Sequence, residues 1–508
     1  MRADAASPRS KMSEAASMSN FSLIDDPDPR MSHSVVVVRG APHAGYPTIN
    51  LDKTPTETRN QVIRVTSTPT DPIGILVQRL FAEAGFDAEH LGHETWSPLS
   101  ALIRPGNRIL IKPNLVSDRN QAASGMDCLV THSQVLRAVL EYALLAQPGQ
   151  VVIGDAPIQG CDFEQLMHTT GYAALRSDYD RRALPVKWAD FRRTILVNTS
   201  TGRQRLTERR GLDEYILFDL GTNSLLEPIS GDAERFRVTM YDPKMMRQTH
   251  CPGVHQYLIA REAIEADVVI NLPKLKTHKK AGITGALKNL VGINGHKDYL
   301  PHHRKGGSTS GGDCYVGGSQ FKGWAEDLLD AANRREGRAS HLFWRGAQAC
   351  LALARMAGAD SNIEGSWYGN DTVWRMCLDL NRILMYGRPD GTLASAPQRH
   401  MLHITDAIIA GEGEGPLAPH PRPIGILTCS LNPVAADYVH AWIMGLDWNK
   451  IPIVREGFTA FPFPITRFSP EDVVLQMDRL SHQQPWKNWG IPAFTPPQGW
   501  RGHCELAD

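Results

Sequence analysis

The chain has 508 residues, 42% of them hydrophobic and 21% charged, with 43 glycines and 34 prolines. That composition supplies a large apolar core and excludes collagen, coiled coil and wholesale disorder. Lys+Arg and Asp+Glu both total 54, so no global field favours nucleic acid or an acidic membrane, and any electrostatic specialisation must be local.

In chain order, residues 1–30 are polar and rich in small residues, which predicts a disordered tail. They hold no apolar h-region, so a cytoplasmic protein without a secretory signal is expected. Residues 75–86 have helical spacing. The run 108–111 reads as a strand passing into Lys112, Pro113 and Asn114. A helix over 133–146, with Ser133 as N-cap, leads to a strand at 151–153 that ends at Asp155. This is a βαβ unit. Residues 259–266 read as a helix. The β-branched run 268–270 reads as a parallel strand buried on both faces, continuing into Lys274, Lys276 and His278. Further strands are expected at 402–405, before Asp406, and at 424–427, before Ser430 and Asn432; a helix follows at 434–445.

The expected fold is therefore α/β: a mostly parallel, Rossmann-like sheet of βαβ units with flanking helices. In such sheets ligands sit outside the carboxyl ends of the strands, so the five polar strand ends would gather into one site. Residues 31–314 form the first part of this domain. Residues 315–371 break the alternation and read as an inserted helical segment or lid. Residues 372–508 complete the domain and wrap its surface. Within the insertion, 342–358 reads as an amphipathic helix packed on the core, with a membrane-surface helix as the alternative. It carries Arg345 and Arg355 and is too short to span; no apolar run of 18 residues occurs, so no transmembrane helix is expected.

Eight cysteines are scattered without a C-x2-C pair, which argues against a zinc ribbon, a ferredoxin-type iron–sulfur cluster and a thioredoxin motif. The strongest local signal is basic. Between Lys274 and Lys305 stand eight lysines and arginines against one acid, Asp298, interleaved with glycines and with His278, His296, His302 and His303. Glycines let backbone N–H groups approach an anion, and AGITGALKNLVG reads as a loop entering a helix with Lys288 and Asn289 one turn in. The G-x4-G-K-[ST] and G-x-G-x-x-G spacings are absent, so the expectation is a phosphate or carboxylate pocket rather than a standard nucleotide loop. The competing reading is a solvated lysine face. Nucleic acid is disfavoured because Tyr299 and Tyr315 are the only stacking aromatics near the cluster.

Substrate-binding candidates are Lys112, Asn114, Lys274, Lys276, His278, Thr284, Lys288 and Asn289. Catalytic candidates are Asp155, Asp406 and Glu412, as general acid or base, or with Asp437 as oxygen ligands of a divalent metal ion. Glu414 shares a glycine-rich loop with Glu412. The pairs His250/His255 and His302/His303 lack zinc spacing. No G-x-S-x-G or H-E-x-x-H motif is present.

VVINLPKLKTHKKAGITGALKNLVGINGHKDYLPHH, with IKPNLV, GDAPIQGCDFE and DAIIAGEGEGP followed by NPVAADYVHAWIMG, resembles the core motifs of domain of unknown function 362. The matches extend from about 108 to 455. The resemblance implies membership of a family without an assigned function. Some members carry ferredoxin-like modules; this sequence has no such module, so the iron–sulfur label is not carried over. At the level of fold the pattern also resembles the α/β lactate-racemase-like proteins, an analogy that says little about chemistry. Two functions are expected as alternatives: an enzyme (isomerase, lyase or transferase) acting on an anionic small molecule, or a non-catalytic binding or redox accessory protein that carries a cofactor or serves a partner.

Overall fold

The apolar runs become strands of one ten-stranded sheet. The computed structural model describes residues 23, 32–40, 46, 71–198, 204–238, 241–335, 337–360, 362–477 and 490–506; apart from Leu23, the expected N-terminal tail lies outside them. The sheet strands are β1 (Ser34–Arg39), β2 (Arg108–Pro113), β3 (Gln150–Asp155), β4 (Val186–Asp190), β5 (Val268–Leu272), β6 (Lys274–His278), β7 (Gly282–Thr284), β8 (His400–Glu414), β9 (Ala418–Ser430) and β10 (Val474–Met477). Their order is β10-β1-β9-β8-β5-β2-β3-β4. Strands β4, β3, β2, β5 and β8 are parallel. Strand β9 runs against both of its neighbours. Strand β6 resumes after Pro273, pairing parallel with β8 and antiparallel with β7.

The uninterrupted apolar runs are explained by helices on both faces. Val268 and Ile270 enter one core with Ile109, Ile111, Leu402 and Ile404; Val269 enters the other with Leu110, Val152 and Met401. Helices α1 (Pro72–Glu83) and α2 (Ser133–Leu145) cover the first face. The short α3 is Ala286–Asn289, and α4 (Gln320–Asn333) and α5 (Gly337–Met356) form a helical pair. Helices α6 (Val373–Tyr386) and α7 (Pro433–Ile443) belong to the second core. Each fully buried Val, Ile or Leu contributes about 1.5–3 kcal/mol, so this sandwich holds the strand ends rigidly.

The structure corrects four local expectations. Ile259 and Ala260 finish a strand, Val254–Ala260, and only Arg261–Glu265 is helical. Pairing of Ile259 with Ile216 overrides local helix preference there. The segments 402–405 and 424–427 lie within the long antiparallel hairpin β8–β9, so Asp406 is mid-strand and Ser430 pairs with His403 near the amino end of β8. Strand β9 therefore runs away from the carboxyl edge: Ser430 still shares a row with His403, Asn271 and Lys112, and Asn432 beyond it caps α7. Asp371, by residue type the expected N-cap of a helix running through Tyr386, does not cap α6, which starts at Val373. Asn370 Oδ1 accepts from the Thr372 and Val373 N–H groups, while Asp371 pairs with Arg375. Finally, α5 packs on α4, and only Ala347 and Ala354 are buried, so it does not lie on the sheet core.

Candidate functional site

Register places Lys112, Asn271 and His403 side by side across β2, β5 and β8. From that row a polar network extends over the carboxyl edge. Lys112 Nζ lies 2.7 Å from Asp155 Oδ1 and donates to Asn289 Oδ1 at 3.2 Å. Asn289 Oδ1 also accepts from Asn114 Nδ2 at 2.9 Å, and its own Nδ2 donates to Asn271 Oδ1 at 2.7 Å. Lys276 Nζ donates to Asn114 Oδ1 at 2.8 Å and to the Leu129 carbonyl. Thus Lys112, Asn114, Asp155, Lys276 and Asn289 are brought together. Asn271 and His403 are members that sequence reasoning missed. Asn271 interrupts the apolar run of β5 two residues before Pro273, a signal that could have found it.

Lys274 and Asp406 form a second group. Their atoms are 2.7 Å apart and both side chains are fully buried. Tyr46 OH donates to Asp406 Oδ1 at 2.5 Å and accepts from Lys274 Nζ at 2.7 Å. The His132 and Ile408 N–H groups complete the carboxylate's shell. The His132 ring stacks on Tyr46, centroids 3.6 Å apart. Four donors to one buried carboxylate satisfy its hydrogen-bonding capacity, as a structural anchor requires. Asp155 is similar: besides Lys112 it accepts from Leu115 N at 2.6 Å and Ala156 N at 2.8 Å.

Lys288 differs from these anchored lysines. Lys288, half-buried on α3, makes no hydrogen bond or ion pair among the described residues. Its charge opposes charging of Lys112, Lys276, Lys280, Lys297, His278 and His302. Burial, then the charge of Lys274, pushes Lys276 down to about 7. Burial also lowers Lys297 to about 8. Burial and the nearby lysines hold His278 and His302 well below the usual histidine range, so both are neutral at pH 7. His278 Nδ1 accepts from Lys280 N and Ala281 N and shapes the turn rather than supplying charge. The Thr284 hydroxyl is buried without a partner. Lys280 and Lys297, counted in the sequence as part of the basic run, are the members of the group that the candidate set omitted.

Glu412 is not brought into this group. It lies on β8, not a loop, where i and i+2 side chains share a face. Glu412 therefore accepts from Thr495 N at 2.9 Å and Glu414 from Gln498 N at 2.7 Å, together clamping the C-terminal segment. Asp437 is also occupied: it accepts from Ala286 N at 2.6 Å, Leu287 N at 3.0 Å and His440 Nδ1 at 2.9 Å. The start of α3 thus already holds the protein's own carboxylate. The glycines serve the same close packing. A Cβ at Gly292 would lie 1.8 Å from Asp155 Oδ1, and one at Gly285 2.0 Å from Asp437 Oδ1. Asp155, Asp406, Glu412 and Asp437 form no metal-ligand group among the described residues, where the one cluster of three donors is His303, Cys314 and Glu326.

The family profile described as "Domain of unknown function (DUF362)" matches residues 109–210 and 207–442. The chain belongs to the DUF362 family. The matched region of this DUF362 protein contains every lysine of the cluster. A thylakoid-associated protein of Synechocystis sp. (strain ATCC 27184 / PCC 6803 / Kazusa) is 25% identical over 403 residues, covering 78% of this chain and 79% of that protein. A crystal structure of a Thermotoga maritima protein aligns over 69% of this chain at 11% identity and TM-score 0.29. The chain spans 55% of that structure's length, and a likeness of this size carries no argument. Among the described residues no helix is long and apolar enough to cross a membrane.

Proposed function

We propose that this DUF362 protein is an enzyme that binds an anionic small molecule, bearing phosphate or carboxylate, at the carboxyl end of its parallel sheet. The observation that carries this reading is the unpaired Lys288 amid Lys276, Lys280 and Lys297. Clustered ammonium groups lower one another's proton affinity, and an anion relieves that repulsion. Thr284 Oγ1 offers a further donor. Lys276, poised near neutrality, suits proton transfer next to the anionic group. Asp155 and Asp406 hold lysines in place instead of moving protons.

Lys288→Ala is expected to weaken binding of sulfate and oxalate at least tenfold, about 1.4 kcal/mol, with an unchanged melting temperature. Isothermal titration measures this; equal affinity in the variant would reject the pocket. Lys276→Arg separates the enzyme from a non-catalytic carrier. It keeps a cation but removes a group that titrates near neutrality, so turnover falls while anion binding persists.

A second property is supported by α5. Arg338, Leu342, Arg345, Leu353 and Met356 recur at helical spacing along one exposed side, with Leu342 71% and Met356 83% accessible. The helix has three arginines and no acid. We infer that it rests on an anionic bilayer surface, in keeping with the relative described as thylakoid-associated. Co-sedimentation with phosphatidylglycerol vesicles, but not with phosphatidylcholine vesicles, is expected, and Leu342→Glu with Leu353→Glu should abolish it. Equal pelleting of variant and wild type would refute the attachment.

A further inference from the structure

His303, Cys314 and Glu326 lie on three consecutive pieces of chain. His303 belongs to the short strand His303–Arg304, which pairs with Phe236–Arg237. The following glycine-rich loop folds back on it. Asp313 N donates to Arg304 O at 3.1 Å, and Cys314 N to Gly306 O at 3.0 Å. Only glycine fits two of these positions: a Cβ at Gly307 would stand 2.0 Å from Gly317 O, and one at Gly312 2.2 Å from Gly306 O. The loop thereby sets Cys314 against His303, and α4 presents Glu326 to both. One ligand atom from each of the three lies within 4.8 Å of the other two. The residues are 5%, 0% and 6% exposed.

Two further observations point to a ligand. His303 Nδ1 is buried without a hydrogen-bond partner, a costly state for a polar atom. The three residues also line a cavity of about 590 Å³, together with Arg237, Lys305 and Glu364. We propose that His303, Cys314 and Glu326 bind a zinc ion, with the fourth coordination position open to this cavity.

The donor set suits the ion. Imidazole nitrogen, thiolate sulfur and carboxylate oxygen are the ordinary zinc ligands, and three protein ligands with one open position is the arrangement of reactive rather than structural sites. Tetrahedral zinc needs donors about 3.5 Å apart, so the side chains close by no more than small rotations. A thiolate and a carboxylate carry two negative charges, which the dication cancels; a buried site would otherwise not hold both charges. Burial and Glu326 keep the Cys314 thiol protonated when no cation is present. On binding, the S–H bond breaks, the proton leaves to solvent and the sulfur lone pair bonds zinc. The His303 ring is neutral, since burial and the neighbouring Lys280 and His302 oppose its charging, so its lone pair is available. Glu364 N donates to Cys314 Sγ at 3.1 Å, the kind of outer bond that steadies a metal thiolate. Lys280 of the lysine cluster neighbours His303 and Cys314, but none of the three ligands belongs to that cluster and the inference does not depend on the anion pocket.

The test uses the full chain, stripped with a chelator, equilibrated with zinc chloride and desalted. One zinc per chain is expected by elemental analysis in the wild type. Less than a tenth of that is expected in Cys314→Ser and in His303→Ala. Cobalt(II) loading of the wild type should show a thiolate-to-metal charge-transfer band that Cys314→Ser lacks. The wild-type spectrum keeps the test valid where a variant fails to fold, because the band reports thiolate ligation directly. A wild type without stoichiometric zinc or without the band overturns the site. So does retention of zinc by folded Cys314→Ser and His303→Ala.

Discussion

Lys274→Met is expected to destabilise the protein by about 3–5 kcal/mol, the cost of leaving a buried charge without its partner. The lysine and Asp406 are both wholly inaccessible, 2.7 Å apart. Removing the ammonium strands a carboxylate whose other donors, Tyr46 OH, His132 N and Ile408 N, cannot neutralise it. Lys274→Met combined with Asp406→Asn removes both charges while keeping an acceptor for the backbone donors. It should recover about 2 kcal/mol, within the range of coupling found for contacting residues. Urea unfolding of the four proteins closes the cycle. A single-variant cost below about 1 kcal/mol would show that the pair is not a structural anchor. Loss of ligand binding in Lys274 variants would then reflect lost architecture, whereas Lys288 variants report on the pocket itself.

Affinity for sulfate is expected to fall above pH 7, by up to tenfold per pH unit. The sign follows from Lys276, which burial and Lys274 bring from 10.5 to about 7. A bound anion favours the ammonium form, so binding above pH 7 must take up a proton, and each further unit of pH makes that uptake tenfold less available. Lys297, at about 8, extends the decline. His278 and His302 are neutral throughout this range and do not contribute. Sulfate does not titrate here, so the dependence belongs to the protein. The same shift acts oppositely on the free protein. Its unfolded chain binds more protons between about 7 and 10.5, so the Lys276 contribution to stability rises with pH across that window. Titration calorimetry in buffers of different ionisation enthalpy counts the proton directly. An affinity constant from pH 6 to 9, with no proton uptake, would remove Lys276 from the site.

The α/β class and the strands from Arg108 to Ile270 were legible because a parallel strand buried on both faces must be a short apolar run, and the runs at 108–111, 151–153 and 268–270 are such runs. The concentration of cations after β5 was equally plain. The strand direction at 424–427 was not, because an apolar run looks the same whichever way it is threaded; in the hairpin with β8 the strand runs toward the amino edge, so Ser430 meets His403 and Asn432 caps α7. Nor did the run of residues tell a pocket lysine from an anchoring one. Lys274 finds its acid 132 positions away and Lys112 finds Asp155 through a neighbouring strand, while Lys288 finds none among the described residues. The sequence by itself determined which residue types are present and how local stretches bury their apolar faces, since those depend on spacing along the chain. Only the tertiary structure decided which charges are neutralised and which donors converge, because both depend on distance across strands and on the dielectric of the place where they meet.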